Sequence, residues 1–280
     1  MNYRHIYHAG NFADVVKHLA LVSAITHLKK KDKGFAVIDT HGGRGLYDLE
    51  SHEASRTNEA ESGIRKLASL ANETPLITEY LRLVRAFGQT RYPGSPLIAA
   101  QMLRVQDRLI AVEKHDEEAR ELSRILKPFE RARVFEGDGY ERLVALLPPP
   151  ERRGLVLIDP PYEDPNEFTR AGSALAEAHR RFATGIYLLW FPIKSPAAAD
   201  AFCGEVLTGG MASVLRIDID IGPAAQSKRA ESEPLHAAGL LVIDPPFGMA
   251  RDMKAALAII APLLGKSAKY EIETLAGEGG

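Results

Sequence analysis

Short apolar runs, separated by stretches with helical spacing, constrain this chain more tightly than any other feature. The runs are Phe35 to Ile38, Leu109 to Val112, Ala132 to Phe135, Leu155 to Ile158, Ile186 to Phe191, Val214 to Ile221 and Gly239 to Ile243. Each has the length and composition of a buried strand. Between them, Asp116 to Leu126, Phe168 to Phe182 and Asp252 to Leu264 repeat apolar residues at helical spacing, as crossover helices do. This alternation predicts an α/β fold: a doubly wound, mostly parallel, seven-stranded Rossmann-like sheet with ligands beyond the carboxyl ends of its strands. No helical segment separates the last two runs, so that pair is expected to be antiparallel.

One stretch breaks the rhythm. Between Tyr47 and Tyr92 there is no strand pattern, but helices are expected around Glu59 to Ala71 and Leu76 to Phe87. The division that follows is a main domain from 1–46 and 93–280, with a small helical insertion subdomain over 47–92. Tyr92-Pro93-Gly94-Ser95-Pro96 returns the chain to a helix near Pro96, with Ser95 in the N-cap position. Ahead of the first strand, Asn11 and Asp14 have the spacing of a helix cap, and Val15, Leu19 and Val22 form an apolar stripe. Gly222 to His236, rich in Pro, Ala, Ser and charge, is expected to be a mobile loop near the active face.

A chain of 280 residues with 45% hydrophobic content can bury one large core. Its net charge of −2 excludes a globally basic protein, so contact with nucleic acid must come from local patches. Candidates are Lys29 to Lys33, Arg131 with Arg133, Arg152-Arg153, Arg180-Arg181 and Lys228-Arg229. A single cysteine, Cys203, excludes an internal disulfide. No apolar stretch reaches membrane-spanning length and the N-terminus lacks a signal-peptide core, so a cytoplasmic location without membrane contact is expected.

The ends of the first four predicted strands carry the chemistry. The first opens into Asp39-Thr40-His41-Gly42-Gly43-Arg44-Gly45, where glycines allow backbone to approach a ligand. The second ends at Glu113, suited to both hydroxyls of a ribose. The third ends in Glu136-Gly137-Asp138-Gly139, where Asp138 can accept from an adenine amino group. The fourth ends in Asp159-Pro160-Pro161-Tyr162. Each proline removes a competing N–H, leaving Asp159 and the Pro160 carbonyl as acceptors for a planar amine, with the Tyr162 ring as a stacking face. This order suits S-adenosylmethionine held beside an amine, with S-adenosylhomocysteine as product. A nicotinamide site would require a different acidic spacing, and no Gly-Lys-Ser/Thr phosphate loop exists. A second tetrad, Asp244-Pro245-Pro246-Phe247, has similar parts but follows the last strand, so Asp159 is preferred and Asp244 is read as a turn, with a place on the cleft wall left open to it. His5, His8 and His18 lie close in sequence without matching Cys or a His-Glu-x-x-His helix, so no metal is expected. His18 and His41 are better suited to hydrogen-bonding a carboxylate, such as that of a methionine moiety.

Tyr3-Arg4-His5, His8-Ala9-Gly10-Asn11, Ala13-Asp14-Val15, Lys17-His18, Asp39-Thr40-His41, Tyr92-Pro93-Gly94-Ser95-Pro96 and Leu157 to Glu163 together resemble the RlmJ family, and the likeness runs essentially end to end. The resemblance implies methylation of adenine N6 in 23S ribosomal RNA, at adenine 2030, with the RNA met before or during ribosome assembly. It further implies that His18, His41, Ser95, Glu113, Asp138, Gly139 and Asp159 contact S-adenosylmethionine, that Asp159 is the catalytic acceptor, and that Tyr3 touches the RNA. The expected form is a monomer with no obligate protein partner. Two positions depart from the pattern: Arg44 stands where a smaller residue is expected, and Asp244 where relatives can carry Asn. Two other activities share parts of this reading. A DNA adenine methyltransferase usually carries a larger recognition domain, and a glutamine N5-methyltransferase more typically has Asn in place of Asp159.

Overall fold

The structure is a computed structural model and describes residues 5–71, 73–223 and 235–276. In chain order the elements are α1 (Phe12–Leu28), β1 (Ala36–Asp39), β2 (Leu46–Asp48), α2 (His52–Thr57), α3 (Pro75–Arg85), β3 (Arg91–Pro93), α4 (Ser95–Met102), β4 (Arg108–Glu113), α5 (Asp116–Leu126), β5 (Ala132–Glu136), α6 (Gly139–Leu146), β6 (Gly154–Ile158), α7 (Glu167–Arg181), β7 (Ile186–Pro192), α8 (Pro196–Thr208), β8 (Val214–Asp220), β9 (Ala237–Ile243), α9 (Met249–Leu264) and β10 (Lys269–Ala276).

The main sheet has the order β10-β8-β9-β7-β6-β1-β4-β5. β5, β4, β1, β6 and β7 are parallel, while β9 runs antiparallel to both β7 and β8. The chain winds outward from β1 to β5, returns to β6, and winds the other way, so the switch lies where β1 meets β6. Eight strands, not seven, make up this sheet. The eighth, β10, pairs antiparallel with β8. Its Lys269, Glu271 and Glu273 alternate with Tyr270 and Ile272, a period-two pattern too polar to stand out among apolar runs. Charge on such an edge also discourages pairing with other chains.

The parallel strands β1, β4, β6 and β7 are buried on both faces, whereas the edge strand β5 is largely exposed. In β6, Leu155 and Leu157 join a core with α1, α4 and α9, whereas Val156 and Ile158 join one with α7 and α8. This is why the runs read as continuously apolar. Helix α1 is covered on nearly every side, packed between β6 and β7 beneath and α3, α4 and α9 around it. The apolar stripe Val15, Leu19 and Val22 is therefore only one part of its buried surface. The Asn11 side chain accepts from the Asp14 N–H at 2.9 Å, as the spacing predicted. At the other end, Arg104 donates to the Lys31 carbonyl at 3.0 Å while Asp107, fully buried, holds its guanidinium at 2.8 Å. The backbone of the Lys29 to Lys33 stretch is thus used to close the helix.

The segment between β1 and α4 differs from the sequence reading in two ways. β2 and β3 pair antiparallel and form a neck where no strand was expected; three-residue strands are too short to show periodicity. The helix expected from Glu59 to Ala71 is instead two 3-10 turns, Glu59–Ser62 and Ile64–Leu67. Gly63 separates them because a Cβ there would lie 2.0 Å from the Gly10 carbonyl oxygen. The Ile64 N–H donates to that same carbonyl at 2.8 Å, so the chain crosses the start of α1 too closely for a continuous helix. The second expected helix forms as α3, with Thr74 accepting from Ile77 N–H at 3.2 Å and Pro75 in its first turn. Ser95 also differs. Gly94 takes the N-cap position of α4 and Ser95 makes no capping bond.

Candidate active site

One cavity of about 220 Å³ opens beside the carboxyl ends of β1, β4, β5 and β6. His18, His41, Ser95, Glu113, Asp138, Gly139 and Asp159 all line it. Seven residues spread from His18 to Asp159 therefore share one wall, because each sits at or beside a strand end, or on the helix covering β6.

Each carboxylate is fixed by the fold. Glu113 ends β4 and is buried; its Oε2 accepts from Gly43 N–H and its Oε1 from His115 N–H, both at 2.8 Å. One lone pair on each oxygen remains for a vicinal diol. Asp138 caps α6, accepting from Tyr140 N–H at 3.0 Å, and receives Arg170 at 3.1 Å. Burial alone would raise its carboxyl, but Arg170 and the Tyr140 N–H outweigh this and hold it below the usual value. Gly139 is obligatory there, since a Cβ would lie 2.1 Å from the Thr40 carbonyl oxygen. Arg44 turns away from the loop to pair with Glu118 through two bonds of 2.8 and 3.0 Å, so the glycine turn accommodates it without filling the cavity.

Asp159, at the end of β6, is paired with Lys17, whose ammonium also donates to Asp14 at 2.8 Å. Lys17 is 4% exposed and Asp14 is 1% exposed. Asp14 in turn accepts from Gly10 N–H at 2.9 Å and lies 3.0 Å from His5 Nε2. Burial acts against both charges. For Lys17 the pull of Asp14 and Asp159 prevails and raises its pKa, and for Asp14 the proximity of His5 and Lys17 holds the carboxyl well below its ordinary value. The pair fixes Asp159 through Oδ2, and Oδ1 has no hydrogen-bond partner among the described residues. Lys17 was missed by sequence reasoning. The available signal was a lysine three residues after the capping acid, surrounded by Val15, Val16, Leu19 and Ala20 on a helix with no polar face to receive it.

Of the cavity histidines, His18 and His41 are neutral. Burial depresses His18 to about 3 and His41 to about 4. His41 stands edge-on to Tyr140 at 5.1 Å, and the Tyr140 hydroxyl donates to Glu167 at 2.8 Å under the Arg170 guanidinium. Tyr140, Glu167 and Arg170 also line the cavity and were not anticipated. His5 and His8 are engaged by Asp14 and Glu59. Among the described residues, no group of three or more His, Cys, Asp or Glu side chains is arranged to hold a metal ion.

Asp39 lies below the cavity floor. Burial raises its carboxyl to about 6 against hydrogen bonds from Ser95 and the His41 N–H, and the charge of Asp159 adds to the rise. Folded chains hold this proton where unfolded ones, near pH 3.8, have released it, so its contribution to stability falls as pH rises from about 4 to about 6. Asp39→Asn is therefore expected to exceed wild type in stability by about 3 kcal/mol at pH 8, and to lose that advantage below pH 4. Urea titrations at the two pH values check this, and an identical difference at both would refute it.

The Asp159 loop is not arranged as the sequence suggested. Pro161 lines the cavity while Pro160 and Tyr162 do not. Tyr162 has φ of +51°, strained for a bulky residue, and its ring packs against Phe168 at 4.5 Å and Trp190 at 5.6 Å. Its hydroxyl donates to the Trp190 carbonyl at 2.9 Å. The expected stacking face is thus occupied by neighbouring aromatics. Tyr3 and the pair Lys228-Arg229 lie outside the described residues. The described ends of the loop over 222–236 leave the sheet where Ala238 faces Pro192, at the carboxyl edge of β7.

Asp244 is excluded from the cleft wall by strand direction. β9 runs antiparallel to β7, so Ile243 lies opposite Tyr187 near the start of that strand. Asp244-Pro245-Pro246-Phe247 consequently emerges at the far edge of the sheet, where Asp244 meets His179 at 3.3 Å.

A sheet of this order, with a cavity at its switch point bordered by a glycine turn and carboxylates at successive strand ends, is that of a Rossmann-like methyltransferase. The chain belongs to the family described as ribosomal RNA large subunit methyltransferase D, RlmJ, whose profile matches residues 32–274. It is 39% identical to ribosomal RNA large subunit methyltransferase J of Escherichia coli over 92% of this chain and 91% of that protein. It is 35% identical to the Haemophilus influenzae protein of the same name, over 94% of each. A crystal structure of a Legionella pneumophila protein aligns over 97% of this chain and 99% of that one, with 33% identity and a TM-score of 0.86. Among the described residues no helix is long and apolar enough to cross a membrane.

Proposed function

We propose that this protein transfers a methyl group from S-adenosylmethionine to N6 of one adenine in 23S ribosomal RNA. The observation that carries the proposal is the Asp159 carboxylate, clamped through one oxygen by buried Lys17 and offering the other to the cavity that Glu113 and Asp138 also line. The donor set fits the cofactor. Glu113 would take the ribose hydroxyls, Asp138 and the Gly139 backbone the adenine, and His18, His41 and Ser95 the methionine end. The bound cofactor supplies an electrophilic methyl on a sulfonium.

The protein's own contribution is placement. An adenine amine is a weak nucleophile, and most of the acceleration comes from holding it within attacking distance of the methyl. Oδ1 of Asp159 accepts one N6 hydrogen, and Pro161 rather than Pro160 bounds the cavity beside it. Lys17 holds the Asp159 carboxylate in position. Once N6 gains the methyl its proton becomes strongly acidic, so a carboxylate can take it or pass it to water. The target base must leave its stack to reach Asp159, which is easiest before ribosome assembly buries it. The helical insertion over 47–92 and the N-terminal segment with Tyr3 would flank the RNA.

Purified protein incubated with labelled S-adenosylmethionine and, in parallel, ribosomal RNA, genomic DNA and a release factor is expected to label the RNA alone, as N6-methyladenosine after digestion. Label in DNA or in protein would establish one of the alternative substrates instead. Glu113→Ala removes the diol acceptor and frees two backbone donors, so the Kd for S-adenosylhomocysteine is expected to rise at least about tenfold by calorimetry. An unchanged Kd would place the cofactor elsewhere.

A further inference from the structure

His18 is linked to the insertion by a chain of buried hydrogen bonds. Its Nδ1 lies 2.7 Å from the Tyr92 hydroxyl, which lies 3.0 Å from the Tyr80 hydroxyl. The rings of His18 and Tyr92 are stacked, 5.6 Å apart and 25° from parallel. Tyr80 belongs to α3 and Tyr92 to β3, and all three side chains are essentially inaccessible.

We propose that Tyr80 and Tyr92 form a polarised relay through which the insertion fixes the His18 tautomer, making Nε2 a hydrogen-bond donor aimed at the methionine carboxylate of the cofactor. The inference rests on the cofactor placement given above. Its direction follows from counting protons. Tyr80 has one hydroxyl proton and, among the described residues, one partner, Tyr92. If Tyr80 donates to Tyr92, then Tyr92 donates to Nδ1 of His18, and every buried proton has an acceptor. The reverse direction leaves the Tyr80 proton without one, and a buried donor left unmade costs more than an unused lone pair. Nδ1 of His18 therefore accepts, and its single proton resides on Nε2.

Burial supports the assignment at both ends. It pushes both tyrosines above their ordinary range, so neither hydroxyl ionises, and it keeps His18 neutral. A neutral ring without this relay could present either a donor or a lone pair to the cavity, and a lone pair would repel a carboxylate. The insertion thereby takes part in cofactor recognition without touching the cofactor, and Tyr80 and Tyr92 are positioning residues.

Two ligands separate this role from general support of the fold. S-adenosylhomocysteine carries the amino-acid carboxylate, and 5′-methylthioadenosine lacks it. In Tyr92→Phe the Kd for S-adenosylhomocysteine is expected to rise about tenfold while that for methylthioadenosine stays within about twofold. Tyr80→Phe, which keeps the Tyr92 to His18 bond, should show the same pattern with a smaller rise of about threefold. The double variant removes the stranded Tyr80 donor and supplies a folded protein should Tyr92→Phe alone be unstable. Long-range proton–nitrogen spectra of histidine-labelled wild type are expected to show His18 protonated at Nε2. A proton on Nδ1, or equal losses for both ligands, overturns the relay. Wild type that binds neither ligand overturns the cofactor placement instead, and the spectrum alone then judges the relay.

Discussion

Asp159→Ala is expected to lower methyl transfer by about a thousandfold or more while S-adenosylhomocysteine still binds. In the proposed mechanism the loss would be large because the carboxylate would serve twice, holding an N6 hydrogen and receiving the proton once the methyl has arrived. Asp159→Asn keeps the shape and one acceptor oxygen but not the charge, so it should retain more activity than Ala and far less than wild type. Single-turnover assays with saturating RNA, alongside calorimetry with S-adenosylhomocysteine, separate chemistry from binding. Near-wild-type turnover by the Ala variant would eliminate Asp159 as the acceptor and, with it, the mechanism above.

Lys17→Met is expected to cost about 3–5 kcal/mol of stability and about two orders of magnitude in turnover. Methionine fills the same space, so the stability loss reports the uncompensated Asp14 carboxylate rather than a void. The depressed Asp14 carboxyl contributes stability above pH 3.8 that is lost as pH falls through its folded value. The gap between variant and wild type should accordingly narrow in acid. Adding Asp14→Asn removes the stranded charge and should restore much of the stability while leaving turnover low, because Asp159 still lacks its clamp. Recovery of turnover together with stability would show that Lys17 serves the fold alone. Urea titrations and single-turnover rates on the same preparations decide the matter.

Much of the parallel half of the sheet was legible because burial on both faces leaves an unbroken apolar run, as in Leu155 to Ile158. Helix α5 matched its expected span of Asp116–Leu126 because its burial is one-sided. The elements that escaped detection share a cause: their signal lies outside their own residues. β2 and β3 exist because they pair with each other across the insertion. The 3-10 turns around Gly63 exist because α1 passes within reach of a Cβ. β10 is polar and alternating, and its strand identity depends on an open edge at β8.

The cavity shows the same division. Glu113, Asp138, Gly139 and Asp159 were readable because they stand at strand ends, where a residue's position along the chain fixes its place in space. Lys17 and Tyr140 lie on helices, and a helical residue's target depends on which neighbour its turn happens to face. Tyr162 illustrates the limit from the other side. The motif marks it as aromatic and adjacent to Asp159, but its positive φ and its packing against Phe168 and Trp190 set where the ring goes.

By itself, the amino-acid sequence determined the class of fold, the order of carboxylates along the sheet and the kind of ligand they suit, since strand periodicity and residue chemistry are local properties. Strand order already preferred Asp159 over its near-duplicate, but only tertiary structure removed Asp244 from the cleft wall. Asp159 follows a strand running with its neighbours and Asp244 follows one running against them, and strand direction is a relation between segments that neither tetrapeptide contains. It also decided that a buried lysine on α1 meets Asp159, because only packing brings charges 142 residues apart into contact.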